Sequence, residues 1–406
     1  MIQRPPEISE RRHILQECSA VKVLHYMKRI RAEDGGVVRA VLNLCRLQAE
    51  AGAEVTLMTF DSKDAPSDWI EGAAGKPRVI VVDPPNRLQR LSRRSLEVCK
   101  EEFGRVDCVH LHAVWSPSNA QLASLCRRLD RPYVITIHGM LDDWSMSVRK
   151  GKKRLFLGLY GRSMIENAFA AHCCSEEERR QSAKWYPKGN PVVVPLAVDL
   201  APYKVLPGRS PAEQAFPEIV GEAPLILFLS RLHPVKGVDL LIEAVGLLRD
   251  RKKPCRLVIA GAGDEEHAQF LRSIVERLGL WDRVSFLGMV RGVEKVSLYQ
   301  AADVFVLPSL HENFGFVLPE ALAAMTPAVT TRFVGLWDEL ERGGGVVVAD
   351  RDPEALAGAI GRLLADPASL SRMGESGRQW VFDHLGGEQV IGSFLDLYRR
   401  ASGVSP

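Results

Sequence analysis

Short apolar runs alternate with longer amphipathic segments through the first 200 residues. The strand-like runs include "VKVLHYM", "EVTLMTF", "RVIVVD", "VDCVHLH", "YVITIHG" and "AAHCCS". Between them lie segments with helical periodicity, such as "GGVVRAVLNLCRLQAEAG", "NAQLASLCRRL" and "KKRLFLGLYGRSMIENAFA". Short strands that alternate with longer helices predict a parallel sheet covered by helices on both faces.

The same alternation restarts after residues 201–223, a proline-rich stretch with little periodicity. A chain of 406 residues can bury two ordinary α/β cores. We therefore predict an α/β fold of two doubly wound, Rossmann-like domains that face each other across a cleft. The predicted parts are an N-terminal extension at 1–20, a first domain at 21–200, a linker at 201–223, a second domain at 224–385 and a C-terminal helix at 386–406. Periodicity leaves open which domain the last helix packs on.

Charge is unevenly placed along the chain, at +7 over residues 1–200 and −4 over the remainder. The densest basic run is "RKGKKR", Arg149 to Arg154, which leads into "LFLGLYGR". A basic run beside apolar residues suits a membrane surface or a phosphorylated lipid, and it also fits a solvated helix start. The balanced total charge and the lack of a known nucleic-acid-binding motif predict no nucleic-acid partner.

The cellular location is predicted from hydropathy. The N-terminal stretch lacks an apolar segment of signal-peptide length, and no stretch approaches the roughly 20 apolar residues that span a bilayer. We expect a cytoplasmic protein, with peripheral contact at the inner face of the cytoplasmic membrane through Arg149–Arg154. The eight cysteines are scattered, and the adjacent pair Cys173-Cys174 has no ligand spacing, which predicts reduced core thiols.

Two loops of the second half contain candidate phosphate-binding residues. In "LILFLSRLHPVKGVDLLIEA", Arg231 and Lys236 follow a strand and Gly237 opens a helix. Two cations beside a helix N-terminus suit a phosphate or diphosphate, although two surface cations are the plain alternative. In "VIAGAGDEE", Gly261 and Gly263 would let a ligand approach the backbone, but glycines are also ordinary turn formers.

The segment "HENFGFVLPE" places two carboxylates around a Phe-Gly-Phe loop. Val304 to Leu307 reads as a buried strand, so Glu312 lies on the following loop and Glu320 at a helix start. Carboxylates accept hydrogen bonds from vicinal hydroxyls, and Gly315 would let backbone N–H groups face a phosphate. The arrangement suits a nucleotide sugar, whereas a solvated loop acid and a helix-dipole acid are the alternatives.

Candidate residues of the first domain follow its strands. Gly35-Gly36 opens a helix, and His138 with Gly139 follows the strand "YVITIHG". A lone histidine is more often structural, but a strand end that faces the cleft favours function. The neighbouring strand end carries His110, His112 and Trp115, and this tryptophan could stack on a sugar or pack in the core.

These motifs together resemble a known enzyme family. In this order, "TIHGM", "SRLHPVKGVDLLIEA", "IAGAGD" and "HENFGFVLPEALAAMTPAVTT" resemble the retaining glycosyltransferases of family 4, which have the GT-B fold. The spacing of Glu312 and Glu320 is similar to the family's donor motif. "HAVWSPSN" and "HGMLDDW" resemble a bacterial subgroup associated with exopolysaccharide and cell-surface glycan assembly, lipopolysaccharide included.

The resemblance implies roles for matching positions. It implies that Arg231 and Lys236 bind the donor diphosphate, Glu320 the ribose and Glu312 the transferred sugar, with His138 beside the reacting sugar. The implied catalytic set is Glu312, His138, Arg231 and Lys236. The other implied donor-binding positions are Gly35, Gly36, Gly261, Met289, Val290, Asn313, Phe314 and Gly315. The acceptor-binding candidates are His112, Trp115 and His138. The family also implies that the last helix returns to the first domain.

We therefore expect a retaining transferase that moves a sugar from a nucleotide-diphosphate sugar, UDP- or GDP-linked, to a hydroxyl of a glycan or polyprenyl-linked acceptor. Cations and helix N-termini could stabilise the leaving diphosphate without metal or cofactor. Asp350-Arg351-Asp352 precedes "PEAL" and predicts a helix cap rather than a metal site. The alternatives are a nucleotide-sugar epimerase or phosphorylase on the same scaffold, a dinucleotide-dependent oxidoreductase, and a non-catalytic nucleotide-binding scaffold.

Two positions depart from the family pattern. Leu196 and Ala197 stand in "PLAVD" where relatives commonly have a polar residue and a glycine, and we expect an altered hinge or acceptor side. Met325 stands where glycine is frequent, and we expect changed packing behind the donor loop.

Overall fold

Each half of the chain is organised around its own sheet. The structure is a computed structural model that describes residues 20–403. The first unit takes in the chain up to Cys173, the segment Ser182–Val194 and the chain from Ile391, and the second takes in Cys174–Gln181 and Pro195–Val390. The predicted N-terminal extension at 1–20 lies outside the described residues except for Ala20.

The first unit contains a seven-stranded parallel sheet with the order β3-β2-β1-β4-β5-β6-β7. Its strands are β1 (Lys22–Tyr26), β2 (Glu54–Thr59), β3 (Arg78–Val81), β4 (Cys108–His112), β5 (Tyr133–Thr136), β6 (Ala170–Cys173) and β7 (Pro191–Val193). β4 is buried at every position because helices cover both faces of the sheet. The strand order reverses between β1 and β4, and the carboxyl ends of strands at such a switch point form the usual ligand crevice of an open α/β sheet.

Helices connect these strands. They are Gly36–Glu50, Ser67–Ile70, Arg93–Phe103, Pro117–Arg128, Asp143–Ser147, Lys150–Phe156 and Arg162–Glu166, with a π-helical turn at Leu157–Gly161. The last helix, Gly387–Ser402, begins in the second unit, and its residues from Ile391 belong to the first. There the Tyr398 hydroxyl lies 2.7 Å from His110 Nδ1 of β4 and accepts a 3.1 Å hydrogen bond from Gln48 Nε2.

The second unit contains a six-stranded parallel sheet with the order β10-β9-β8-β11-β12-β13. Its strands are β8 (Leu225–Leu229), β9 (Arg256–Ala260), β10 (Val284–Gly288), β11 (Val304–Leu307), β12 (Ala328–Thr330) and β13 (Val346–Val348). The remaining helices are Glu176–Ser182, Ser210–Ala215, Val238–Asp250, Glu265–Leu278, Gly292–Ala301, Val317–Ala323, Trp337–Arg342, Pro353–Leu363 and Pro367–His384. The prediction of two doubly wound parallel-sheet domains is confirmed.

The segment 201–223, predicted as a linker, forms short helical turns that belong to the second unit. Ser297 on the helix Gly292–Ala301 accepts a 2.9 Å hydrogen bond from the Ala212 backbone and donates a 2.7 Å bond to the Gly208 carbonyl. These bonds satisfy backbone groups of a proline-rich stretch that has little periodicity of its own.

Two further predictions concern cysteines and helix capping. The described cysteines are free and buried, as expected for core thiols, and Cys18 lies outside the described residues. Asp352 Oδ1 accepts a 2.9 Å hydrogen bond from Ala355 N, with Pro353 at the first helical turn, so the predicted cap is confirmed. Within residues 20–403, every helix is too short or too polar to span a membrane.

Candidate functional site

The loop after β8 positions Lys236 against Glu312. Lys236 ends a single 3-10 turn, Pro234–Lys236, and its side chain is largely buried. Its ammonium group pairs with Glu312 Oε2 on the loop after β11. Arg231, on the same loop as Lys236, is exposed. The structure thus brings together a cation and a carboxylate that the sequence separates by 76 positions.

Gly261 allows the loops after β8 and β9 to pack closely. A Cβ at Gly261 would collide with the Ser230 carbonyl oxygen, and its φ of 145° is rarely adopted by other residues. Packing between these two loops is therefore enough to require a glycine at position 261. A pocket of about 580 Å³ is lined by other residues of the same two loops, among them Arg231, His233 and Asp264.

The loop "HENFGF" is held by backbone pairing with residues 333–335. Glu312 N donates to Phe333 O at 3.0 Å, and Gly335 N donates to Glu312 O at 2.8 Å. Gly315 has a φ of 75°, where an added Cβ would press on the Val334 side chain. The backbone of this loop is therefore fixed, which aims the Glu312 carboxylate at Lys236.

Asn313 and Phe314 are engaged within the second unit. Asn313 Nδ2 donates to Cys174 Sγ at 3.1 Å. Phe314 is buried, and its ring centroid lies 4.9 Å from that of Phe316. Both side chains stabilise the loop, and their predicted contact with a donor stays a prediction.

Glu320 lies in the first turn of the helix Val317–Ala323 and is almost fully buried. Lys295 Nζ lies 2.6 Å from Glu320 Oε2, and the Tyr299 hydroxyl donates to the same oxygen at 3.2 Å. An isolated carboxylate would be costly at this depth, so the pair keeps Glu320 in place. Sequence reasoning missed Lys295; the available signal was the i, i+4 spacing of Lys295 and Tyr299 on the helix that follows β10.

The other donor candidates lie at strand ends and at a helix start. Met289 is exposed and Val290 buried directly after β10, where the Gly288 carbonyl accepts from Gly261 N at 2.7 Å. In the first unit, Gly35 precedes the helix Gly36–Glu50, and the space around both glycines is open.

Trp115, an acceptor candidate, packs against the helix Lys150–Phe156. Its ring meets Phe156 edge-on at 5.7 Å, and Lys153 Nζ lies 5.3 Å from its centroid. A cation therefore lies near one face of this ring, and the predicted stacking of a sugar on Trp115 stays a prediction.

Buried histidines converge at the carboxyl edge of the first sheet. Hydrogen bonds of 2.6 to 3.1 Å link a continuous chain of groups. Its members, in order, are the Val194 carbonyl, His172, Thr136, His110, Tyr398, Gln48, His25, His112 and His138. The acceptor candidate His112 has both ring nitrogens engaged in this chain.

Burial keeps these histidines neutral. It lowers the pKa of His138 to about 3 and the pKa values of His25 and His172 to about 4. Burial, together with the neighbouring histidines, lowers the pKa values of His110 and His112 well below the usual value.

Three of the histidines have the spacing of metal ligands. Nitrogens of His25, His110 and His112 lie within 4.8 Å of one another. All of their ring nitrogens, however, are already hydrogen-bonded. A metal ion would have to displace these bonds, so hydrogen bonding accounts for the cluster.

Comparison with known proteins identifies the family. Residues 34–202 match Glycosyltransferase Family 4 and residues 210–380 match Glycosyl transferases group 1. A D-inositol 3-phosphate glycosyltransferase of Corynebacterium urealyticum is 35% identical over 390 residues, 90% of each chain. Another, of Xylanimonas cellulosilytica, is 30% identical over 92% of this chain and 93% of its own. The chain belongs to glycosyltransferase family 4.

Solved structures agree on the fold of this family 4 glycosyltransferase. A glycosyltransferase from Rickettsia africae aligns with a TM-score of 0.77 at 15% identity, over 96% of this chain and 100% of its own. Anabaena HepE in complex with UDP aligns with a TM-score of 0.75 at 18% identity, over 93% and 99%. These likenesses confirm the GT-B fold. The narrower exopolysaccharide assignment stays a prediction, because the full-length relatives described above are inositol phosphate glycosyltransferases.

Proposed function

We propose that this glycosyltransferase moves a sugar from a nucleoside-diphosphate sugar to an acceptor hydroxyl with retention of anomeric configuration and without a metal ion. The observation that carries the proposal is the fixed pairing of Lys236 with Glu312 on two loops of the second unit. UDP-linked donors are favoured, since the structural neighbour HepE has been solved with UDP and with UDP-glucose.

In the proposed donor site, cations meet the diphosphate and carboxylates meet hydroxyls. Lys236 and the exposed Arg231 would bind phosphate oxygens, and Glu312 would then accept hydrogen bonds from the transferred sugar. Lys295 holds the Glu320 carboxylate at 2.6 Å, which orients that carboxylate for the ribose hydroxyls.

The proposed transfer step relies on leaving-group stabilisation. As the bond from the anomeric carbon to the diphosphate oxygen breaks, negative charge grows on the phosphate, where Lys236 and Arg231 would offset it. The departing phosphate oxygen would take the proton of the acceptor hydroxyl as that hydroxyl attacks from the same face. Glu312, paired with an ammonium group, is a poor covalent nucleophile, so no glycosyl-enzyme intermediate is invoked.

For the acceptor, we propose a glycan or lipid-linked hydroxyl at a membrane surface, in cell-surface polysaccharide synthesis. The basic run Arg149–Arg154 continues into the exposed side chains of Leu155, Leu159 and Tyr160. A surface of cations beside apolar side chains would bind anionic lipid. Replacing Lys150, Lys152 and Arg154 by glutamine should weaken binding to phosphatidylglycerol vesicles without loss of nucleotide binding. Equal vesicle binding by both proteins would exclude this role.

A phosphorylated polyol is the second acceptor candidate. The full-length relatives at 30% and 35% identity are named for D-inositol 3-phosphate, so their acceptor class is a direct alternative. An assay with UDP-sugars would offer inositol 3-phosphate and a lipid-linked glycan in parallel, with and without EDTA. Mass spectrometry would identify the glycosylated acceptor, and NMR its anomer. An inverted anomer, or persistent loss of activity in EDTA that magnesium restores, would contradict the proposed mechanism.

A further inference from the structure

The hydrogen bonds of the histidine chain in the first unit all run in one direction, because the carbonyl group at one end can only accept a hydrogen bond. The Val194 carbonyl has no proton, so His172 must donate from Nε2, and His172 Nδ1 is left to accept. Thr136 therefore donates its hydroxyl proton to His172 Nδ1, at 2.8 Å. The Thr136 oxygen in turn accepts from His110 Nε2, at 2.6 Å.

The same direction continues through the C-terminal helix. His110 Nδ1, which has no proton, accepts from the Tyr398 hydroxyl at 2.7 Å. The Tyr398 oxygen then accepts from the Gln48 amide nitrogen at 3.1 Å. The Gln48 carbonyl oxygen accepts from His25 Nε2 at 2.7 Å, so this orientation of the amide follows from the Val194 carbonyl at the far end.

The chain ends at His138. His25 Nδ1 accepts from His112 Nε2 at 3.0 Å, and His112 Nδ1 accepts from His138 Nε2 at 3.1 Å. The reverse direction would require a second proton on His172, or a buried Val194 carbonyl without a donor. Both are costly in the core.

We infer that this chain fixes His138 as the neutral Nε2–H tautomer and so presents Nδ1 as a hydrogen-bond acceptor for a substrate hydroxyl. Tyr398, Gln48 and the Val194 carbonyl are positioning groups that act through the intervening histidines. The part that concerns a substrate rests on the proposed function, whereas the tautomer does not.

Two further observations about His138 support this role. No hydrogen bond to any residue between 20 and 403 uses its Nδ1. Its backbone also adopts a φ of 54°, a left-handed conformation that is costly for a residue with a side chain and that often marks functional positions. A neutral histidine whose Nε2 proton is committed to His112 cannot act as a proton donor to substrate through Nδ1.

The first test is the tautomer itself. The full-length protein, labelled with ¹⁵N at the histidine rings, would be studied without ligand at pH 7.5 by long-range ¹H–¹⁵N NMR. The His138→Gln variant would assign the His138 resonance. We expect Nε2–H tautomers for the chain histidines, His138 included. An Nδ1–H tautomer at His138, or averaged signals from two tautomers, would overturn the inference whether or not the enzyme is a sugar transferase.

The second test interrupts the hydrogen-bonded chain at Tyr398. Without its hydroxyl, the Gln48 amide can turn over and reverse the direction of the bonds from His25 to His138. We expect the His138 signal of Tyr398→Phe to change from one tautomer to a mixture of two. Tyr26→Phe is the matched control, since Tyr26 is equally buried on β1 but donates to Ser118 outside the chain. If Tyr398→Phe folds and leaves the His138 signal unchanged, Tyr398 does not position His138. If the variant does not fold, the wild-type spectrum alone decides whether His138 is held as one tautomer.

The activity of the same pair of variants tests the substrate part. We expect kcat in Tyr398→Phe to fall in proportion to the lost share of the Nε2–H tautomer of His138, about twofold for an even mixture, and to stay near the wild-type value in Tyr26→Phe. A mixed tautomer with unchanged kcat would overturn the role toward substrate and leave the proposed transferase function intact.

Discussion

The carboxyl edges of the two sheets stabilise their buried polar side chains in different ways. At the edge of the second sheet, buried or half-buried charges are paired, as in Lys236–Glu312 and Lys295–Glu320. At the edge of the first sheet, the buried histidines are neutral, and one hydrogen-bonded chain leads to His138. Ion pairs suit a region proposed to bind a charged diphosphate, whereas a neutral hydrogen-bonded chain suits the inferred role of fixing the tautomer of a single ring. The comparison predicts that the two units respond differently to pH and to mutation.

The largest expected effect is that of acidification, which should destabilise the first unit more than the second. Burial lowers the pKa of His25 to about 4, so between pH 6.5 and 4 the unfolded chain binds a proton that the folded chain does not. The free energy of unfolding should therefore be at its full value above pH 6.5 and fall by up to about 1.4 kcal/mol per pH unit for each such histidine as the pH drops. Hydrogen exchange at pH 7.5 and pH 5 should show lost protection in β4 and β5 before β8 and β11.

The control for this experiment is His384→Gln, which removes an exposed histidine. It should leave the pH dependence unchanged. Equal loss of protection in both sheets would mean that the histidine chain does not set the acid sensitivity.

Replacement of Lys295 should have the next largest effect, a loss of stability. Lys295→Met leaves the Glu320 carboxylate buried without its cation, and we expect a loss of about 3 kcal/mol in the free energy of unfolding. The double variant Lys295→Met with Glu320→Gln should recover much of that loss, because no buried charge remains. Denaturant unfolding measures both, and a double variant as unstable as the single one would show that the ion pair is not the cause.

Glu312→Ala should separate sugar contact from nucleotide binding. If Glu312 holds the transferred sugar, kcat/KM for the donor should fall about 100-fold, a loss of roughly 2.7 kcal/mol in transition-state stabilisation. Affinity for the nucleoside diphosphate alone should change little, because Lys236 and Arg231 remain. Glu341→Ala, at an exposed position of the same unit, is the control. An equal loss of nucleotide affinity would contradict the division of roles.

Met325→Gly should give the smallest effect, in the stabilising direction. Met325 has a φ of 69°, and its side chain is 42% exposed, so glycine relieves left-handed backbone strain with little lost burial. We expect a gain of about 1 kcal/mol in the free energy of unfolding, seen as a higher Tm, with unchanged kcat. A lower Tm would mean that methionine packing outweighs the strain.

Sequence reasoning located the strands and the loops of the proposed donor site because both have local signals. The apolar run Val304–Leu307 before Pro308 is β11 as predicted. The departure at Met325 was visible in the sequence, but its physical basis, a left-handed backbone, needed the structure. The partner of Glu320 was missed because Lys295 lies on another helix, 25 positions away, and its only sequence signal was the i, i+4 spacing with Tyr299.

The histidine chain was missed for a similar reason. The five histidines come from four separate strand segments, with only His110 and His112 in the same one, and the register of the parallel sheet aligns them. His25 pairs with His110, and Thr136 pairs with His172. A comparison of strand carboxyl ends, "VLHYM", "VHLHA", "TIHGM" and "AHCC", would have supplied the signal.

The most direct test of the donor site is calorimetry with UDP, GDP, ADP, TDP and their sugars, with NAD as a control ligand. The wild type would be compared with Lys236→Ala and with Lys204→Ala, which removes an exposed lysine of the same unit. We predict selective binding of one nucleoside diphosphate, most simply UDP, that is lost in Lys236→Ala and kept in Lys204→Ala. Binding of NAD alone, or nucleotide binding that survives in Lys236→Ala, would contradict the assignment of this site.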